Sequence, residues 1–377
     1  MNKSQPSGLY LHIPFCRSKC SYCAFYSIPD PSRIREWIEA VRLEMEQYEG
    51  LFPPFDTIYL GGGTPSLLEE GALASLLGDA FRRFRFDSDV EITLEANPDD
   101  LSLDRLSFYR SLGINRVSIG VQSFREEDLR ILGRRHTADQ TRRSLREARE
   151  AGFESISVDL IMGIPARVGT PLERWKAVLE AALSFNPEHL SCYLLTCEAD
   201  TRLNDVLKHR KLSLLGEEEE RRLFLYTSQH LMANGYRHYE VSNFARSDAM
   251  RSRHNSKYWS HAPYLGLGPS AHSFLAGDRW WNVRSVERYC ETLAHHELPV
   301  AGRESLTSDQ IWLEQLSLGL RTSNGISQHL LRQSKQTDAT LAALSQDGLI
   351  RLASDRIYPT PEGYLVSDSL PLLFLEP

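Results

Sequence analysis

Cysteine is scarce in this chain: six residues in 377, of which Cys16, Cys20 and Cys23 fall within eight positions while Cys192, Cys197 and Cys290 are scattered. A disulfide framework needs dense cysteines, so this usage excludes a stapled secreted domain and fits a thiolate metal site in a reducing cytoplasm. No apolar run approaches the ~18 residues of a membrane helix, and residues 1–8 lack the apolar stretch of a signal peptide. Positive charge is not in excess either. The 43 Lys and Arg against 50 Asp and Glu give a net charge of −7, which argues against a nucleic-acid partner, because neutralising phosphates takes concentrated cations. Low-complexity segments and long repeats are absent. What is present, 41% hydrophobic and 25% charged residues, is the usage of an ordinary globular protein of two to three domains.

The first two hundred residues alternate. Short β-branched or apolar runs at 9–13, 57–60, 91–95, 116–120, 155–160 and 189–194 are separated by helical patterns over 32–48, 67–84, 102–112, 137–151 and 170–185. Ser102 reads as a helix cap, and Thr170 followed by Pro171 sets proline at a first helical position. Repeated strand–helix–strand units predict right-handed crossovers and a parallel α/β sheet, open or barrel-like. Nearly every strand ends in unusual residues: Pro14 to Cys16, Gly61 to Pro65, Glu95 to Pro98, Gln122 with Ser123, and Asp159. Ligands of parallel α/β folds sit at that edge, so one wide site is expected, which a curved sheet surrounds better than a flat one. Beyond residue 200 the alternation fades. We divide the chain into residues 1–200, a connecting region 201–300, and a smaller mixed domain 301–377. That last domain has helices at 307–320 and 338–347 and a hairpin at 348–359, a winged-helix-like end. Its six Lys and Arg against nine Asp and Glu make it a poor DNA binder.

Cys16, Cys20 and Cys23, spaced three and two residues apart on one loop, can surround a compact metal centre. A structural zinc ion would need a fourth donor, for which His12 is the candidate. A [4Fe–4S] cluster usually takes four cysteines, so three leave one iron open to a non-protein ligand. The glycine run at 61–63 lets a ligand approach the backbone closely, and Glu95 at a strand end can accept hydrogen bonds from ribose hydroxyls or an amino group.

These residues, with Tyr10, His12, Pro14 and Phe15 before the loop and Gly120 to Phe124, Arg134 and Asp159 after it, resemble the radical S-adenosylmethionine (SAM) superfamily. Within it the chain is similar to the oxygen-independent coproporphyrinogen dehydrogenases and their relatives. The resemblance covers most of the chain and implies a partial (β/α)6 barrel, with a [4Fe–4S] cluster on Cys16, Cys20 and Cys23. It implies SAM contacts at Tyr10, Tyr22, Gly62, Gly63, Thr64, Glu95, Gln122, Arg134 and Asp159.

Two departures separate the chain from the dehydrogenases. Phe25 stands where they carry a further cysteine, and only nine residues precede Tyr10, where they carry a longer extension. The segment His254-Asn255-Ser256-Lys257-Tyr258-Trp259 resembles the His-Asn-x-x-Tyr-Trp signature of HemW-type heme chaperones. That likeness implies heme as cargo, with His254 a contact and His261 and His272 rival ligands. It implies apo-hemoprotein acceptors, including membrane-bound respiratory enzymes, and a homodimer. A radical enzyme acting on a tetrapyrrole and a zinc-stabilised binding module remain the alternatives.

Overall fold

The computed structural model describes residues 5–199, 201–331 and 334–375; residues 1–4, half of the stretch read above for a leader, lie outside them. Six strands form where the alternation places them: β1 (Ser7–Ile13), β2 (Phe55–Gly62), β3 (Phe86–Ala96), β4 (Arg116–Gln122), β5 (Ser155–Met162) and β6 (His189–Leu194). Each pairs in parallel with the next. The crossovers carry α1 (Ile34–Gln47), α2 (Glu70–Arg83), α3 (Leu103–Ser111), α4 (Glu126–Leu132), α5 (Ala138–Glu150) and α6 (Pro171–Leu183). The caps act as read. The Ser102 side chain accepts from the Arg105 N–H, and Thr170 and Glu173 close a capping box with Pro171 in the first turn; such caps are each worth about 1 kcal/mol. The strands bury both faces, as a helix-covered parallel sheet requires.

The remaining chain extends this sheet at both edges. After α7 (Leu203–Arg210) and α8 (Glu217–Ala233) come β7 (Arg237–Glu240) and β8 (Asn243–Ala245), an antiparallel pair beside β6. A strap containing α9 (Arg253–Tyr258) then crosses to the opposite edge. There β9 (Tyr264–Leu267) joins β1 in parallel, followed antiparallel by β10 (His272–Leu275) and β11 (Asp278–Asn282). After α10 (Val286–Ala294), β12 (Val300–Ser305) pairs with β11. Among the described residues this makes one twelve-stranded sheet in the order β12-β11-β10-β9-β1-β2-β3-β4-β5-β6-β8-β7.

The middle of the sheet is curved. Tyr59, Glu95, Ser118, Asp159 and Ser191, from five successive strands, border one small chamber together with Ser252 and Asn255 of the strap; a flat sheet would spread these side chains in a row. The fold is thus a partial (β/α)6 barrel, open on one side, with the strap laid across its floor. Arg116 Nη1 donates to the Met250 carbonyl (3.0 Å), and Lys257 Nζ lies 2.6 Å from Asp56 and donates to the Pro6 carbonyl (2.9 Å).

The C-terminal region has its own core, built on Leu316, Ile326, Leu341, Ile350, Ile357 and Phe374. It comprises α11 (Ser308–Gly319), β13 (Ile326–Ser327), α12 (Lys335–Gln346), β14 (Ile350–Ala353), β15 (Arg356–Pro359) and α13 (Pro361–Leu365). The three strands form an antiparallel sheet in the order β13-β15-β14, the winged-helix-like arrangement expected. Two backbone bonds tie it to the barrel, Ser323 N–H to Tyr239 (2.8 Å) and Val241 N–H to Arg321 (3.1 Å).

Candidate cofactor site

The cysteine loop is clamped at its base. Cys16 N–H donates to the Ile28 carbonyl (3.0 Å) and Ile28 N–H to that of Pro14 (2.7 Å). Phe15, fully buried, packs edge-on against Trp37 of α1 at 5.8 Å. Further along, Ser21 N–H and its hydroxyl donate to the Leu132 (3.1 Å) and Ile131 (3.0 Å) carbonyls, docking the loop on the end of α4. The glycine run lies against the same loop. A methyl group on Gly63 would come 2.6 Å from the Phe15 carbonyl oxygen, and one on Gly62, whose φ is +108°, 2.7 Å from the His12 ring.

Beside this loop is a cavity of about 540 Å³ at the C-terminal edge of the strands. Its walls bring together Cys16, Cys20, Cys23, Tyr22, Gly62, Gly63, Thr64, Glu95, Gln122, Arg134 and Asp159. Eleven of the thirteen residues read from sequence as cluster ligands, SAM contacts or the heme contact therefore meet in one place. The other two do not reach it. Tyr10 lies behind Gly61, next to Tyr59 and Glu95, with its hydroxyl 3.0 Å from His12 Nδ1. His254 lies beneath the floor, 1% exposed; Nδ1 is 2.8 Å from the Thr57 hydroxyl, Nε2 is 2.9 Å from the Tyr258 hydroxyl, and the ring stacks on Tyr59 at 5.1 Å. Both imidazole nitrogens are thus engaged inside the protein. Burial pushes its pKa down to about 3, with Lys257 acting in the same sense, so it is neutral.

The thiols face donors suited to thiolates. Thr64 donates to Cys16 Sγ (3.4 Å) and Arg134 Nη1 to Cys20 Sγ (3.5 Å). Burial raises the Cys23 thiol, the Phe25 backbone N–H opposes it, and Cys20 and Cys16 raise it further. Three thiols sharing one field, next to a guanidinium, favour a cationic metal centre that takes them as thiolates. His12, the fourth donor a zinc ion would need, has Nε2 2.9 Å from the Tyr26 carbonyl and Nδ1 on Tyr10. Among the described residues no group of three or more His, Cys, Asp and Glu side chains is set tightly enough to hold a single ion. The three cysteines edge a shared space instead.

The carboxylates occupy the inner wall. Glu95 accepts from the Tyr59 hydroxyl (2.7 Å) and from the Gly62 N–H (3.2 Å). Burial pushes its pKa up to about 7; Tyr59 opposes, Asp159 adds to the rise, and Gly62 opposes. Asp159, accepting from Ser118 at 3.1 and 3.2 Å, is raised as well, chiefly by burial. Arg116 and Arg134 pull the other way on Asp159, but neither acid makes an ion pair among the described residues, and such buried acids favour a cationic ligand. Gln122 holds a left-handed φ of +64°, a strain of about 1–3 kcal/mol for a non-glycine residue. Neither Asn97, marked only as part of the strand end 95–98, nor Ser118 was assigned a contact from sequence. Asn97 accepts from Arg134 and donates to the Thr64 hydroxyl (3.2 Å), so it fixes both donors that face the thiols. Its signal was its place two residues beyond Glu95. For Ser118 it was the inward alternation along β4.

Residues 10–168 match the family model described as the radical SAM superfamily, and residues 306–366 match the HemN C-terminal domain. The chain is similar to the heme chaperone HemW of Bacillus subtilis, 34% identical across 96% of this chain and 97% of that protein. It is also similar to the heme chaperone HemW of Mycobacterium tuberculosis, 34% identical across 97% of this chain and 94% of that one. Among solved structures, the coproporphyrinogen III oxidase HemN of Escherichia coli aligns with 98% of this chain and 90% of its own at a TM-score of 0.82 and 24% identity, a likeness of fold alone.

Proposed function

This chain belongs to the radical SAM superfamily and, within it, to the HemW family of heme chaperones, and from that premise we propose that it binds heme and hands it to apo-hemoproteins. The observation that carries the reading is near full-length similarity to relatives named for that work, on a chain whose thiol-lined cavity is intact. Cys16, Cys20 and Cys23 would hold a [4Fe–4S] cluster, which when bound supplies redox-active iron with one position left for SAM. Glu95 and Asp159 would receive the ligand's positive charge and hydroxyls, Gly62 and Gly63 would let its methionyl end approach the backbone, and Arg134 with Thr64 would keep Cys20 and Cys16 as thiolates. Phe25, 71% exposed at the cavity lip, offers no thiol where the decarboxylating relatives have one, which argues for carrying a tetrapyrrole over altering it. No helix among the described residues is long and apolar enough to cross a membrane. We place the work in the reducing cytoplasm, with membrane-bound respiratory enzymes among the acceptors and a homodimer as the loaded form.

Hemin titration of the anaerobically reconstituted protein tests the reading. A Soret band saturating at one heme per chain is expected. With cluster, SAM and a reductant, coproporphyrinogen III should remain unchanged; steady formation of protoporphyrinogen would overturn the chaperone assignment.

A further inference from the structure

A second cavity, of about 310 Å³, lies away from the cysteine loop, where the end of the strap and the β7–β8 hairpin meet the C-terminal domain. Its apolar side is made by Trp259 of the strap with Ile326 and Leu330 of the C-terminal domain. Glu240 borders it, 2% exposed; Oε2 accepts from the Ser242 N–H (3.3 Å), while Oε1 is buried without a hydrogen-bond partner among the described residues. Burial pushes this carboxyl up to about 7, against the pull of Asn243 and Ser242.

Two guanidinium groups line the same cavity. Arg251 lies over the Tyr239 ring at 5.3 Å and reaches Asp248 at 2.6 Å, yet its buried Nε has no partner. Arg356 donates to the Asn324 (3.0 and 2.7 Å) and Gly325 (3.0 Å) carbonyls and makes no ion pair among the described residues. Carbonyl dipoles do not cancel a full charge, so the Arg356 guanidinium keeps an unpaired charge in this wall. A guanidinium with no ion pair, a second with a free Nε and a flat indole together select a carboxylate on a planar apolar body.

Resting on the heme reading above, we propose that this cavity takes the propionate-bearing edge of heme, with Arg251 and Arg356 on the carboxylates and Trp259 against the macrocycle. Only an edge enters, because the cavity is smaller than a tetrapyrrole, and partial burial suits a carrier that must release its load. The site uses the last residue of the His-Asn-x-x-Tyr-Trp segment, while His254, at its start, holds the floor of the barrel. Because the walls come from both the barrel and the C-terminal domain, cargo would bridge the two.

The test titrates hemin and hemin dimethyl ester, which lacks the free carboxylates, into the full cluster-loaded chain and into R251Q, R356Q and the double variant, with SAM affinity followed alongside. Hemin should bind the wild type at least tenfold more tightly than the ester. The double variant should lose that preference while SAM binding stays unchanged. Hemin affinity unaltered in a double variant that still binds SAM would overturn the site. If the double variant fails to fold, the wild type decides: equal affinity for hemin and ester refutes the inference. A wild type that binds neither would sink the heme-carrier reading itself.

Discussion

Glu95 should make SAM binding depend on pH in a way that can be worked out in advance. In the free cavity burial and Asp159 hold its pKa near 7, above the ordinary 4.5. A ligand bearing a sulfonium and an ammonium group favours the charged carboxylate, so binding should release a proton when it occurs below pH 7. Each pH unit below that value then costs about 1.4 kcal/mol, a factor of about ten in affinity. Between pH 7 and pH 5 the Kd of the cluster-loaded protein should weaken roughly a hundredfold, and above pH 8 it should level off. The Glu95→Gln variant should bind more weakly at pH 8, by about ten- to a hundredfold, since a hydrogen bond to a charged group is worth about 1.5–3 kcal/mol. Its pH slope should be much shallower, and the residue of slope should vanish when Asp159→Asn is added. Calorimetry in two buffers of different ionisation enthalpy reads both the Kd and the proton release. A wild-type affinity flat from pH 5 to pH 8, or a slope the double variant keeps, would show that these carboxylates do not meet the ligand's charge.

Replacing Cys16, Cys20 and Cys23 together by serine should abolish the visible chromophore of the reconstituted protein, and iron near four per chain in that variant would remove the loop from the cluster. Gly63→Ala drives a methyl group to 2.6 Å from the Phe15 carbonyl; such overpacking costs about 1–3 kcal/mol, so cluster loading should fall while the far-ultraviolet dichroism stays native. Glu44, fully buried, accepts from the Gly268 N–H (2.9 Å) and the Asn282 amide (2.6 Å) and is pushed by burial from 4.5 up to about 7. A raised acid stabilises the fold in its protonated form, so that contribution is complete below pH 4.5 and is lost as pH rises to 7, by about 3 kcal/mol. Glu44→Gln should flatten part of the decline seen by urea unfolding across that window. His254→Ala removes two buried hydrogen bonds and a stacked ring, so it should lower stability by about 2–4 kcal/mol yet leave the hemin stoichiometry intact; a folded variant that no longer binds hemin would return His254 to the cargo site.

The barrel was readable because each strand is a compact apolar run that stops at a residue no core would choose: Cys16 after β1, the glycines at the end of β2, Glu95 in β3, Asp159 in β5. The same punctuation marked the cavity wall. The extensions of the sheet were harder to read. Gly266 and Gly268 interrupt β9 and its approach to β10, and the aromatic residues around them do not alternate, so 254–274 carried no strand period. The stretch 236–243 has the apolar content of one strand but turns at Val241 and Ser242 into the β7–β8 hairpin. α4, at seven residues, is too short to show a helical period. The motif reading brought His254 to light as a residue of consequence. Its place below the floor depends on Thr57 and Tyr59, nearly two hundred positions earlier, a pairing no local pattern encodes.

The pairing of β1 with β9 also bears on how the chain is made. Gly8 lies beside Tyr264, so one edge of β1 waits for a partner roughly 250 residues downstream. At about 5–20 residues per second that edge stays bare for some 12–50 seconds. During that interval the nascent barrel presents an open row of peptide groups next to three free thiols already out of the ribosome. Such an edge invites strand addition by another chain. Overproduction of this protein should therefore fail first by aggregation of incomplete chains, and slower translation over residues 200–264 should lengthen the exposure and lower the soluble yield.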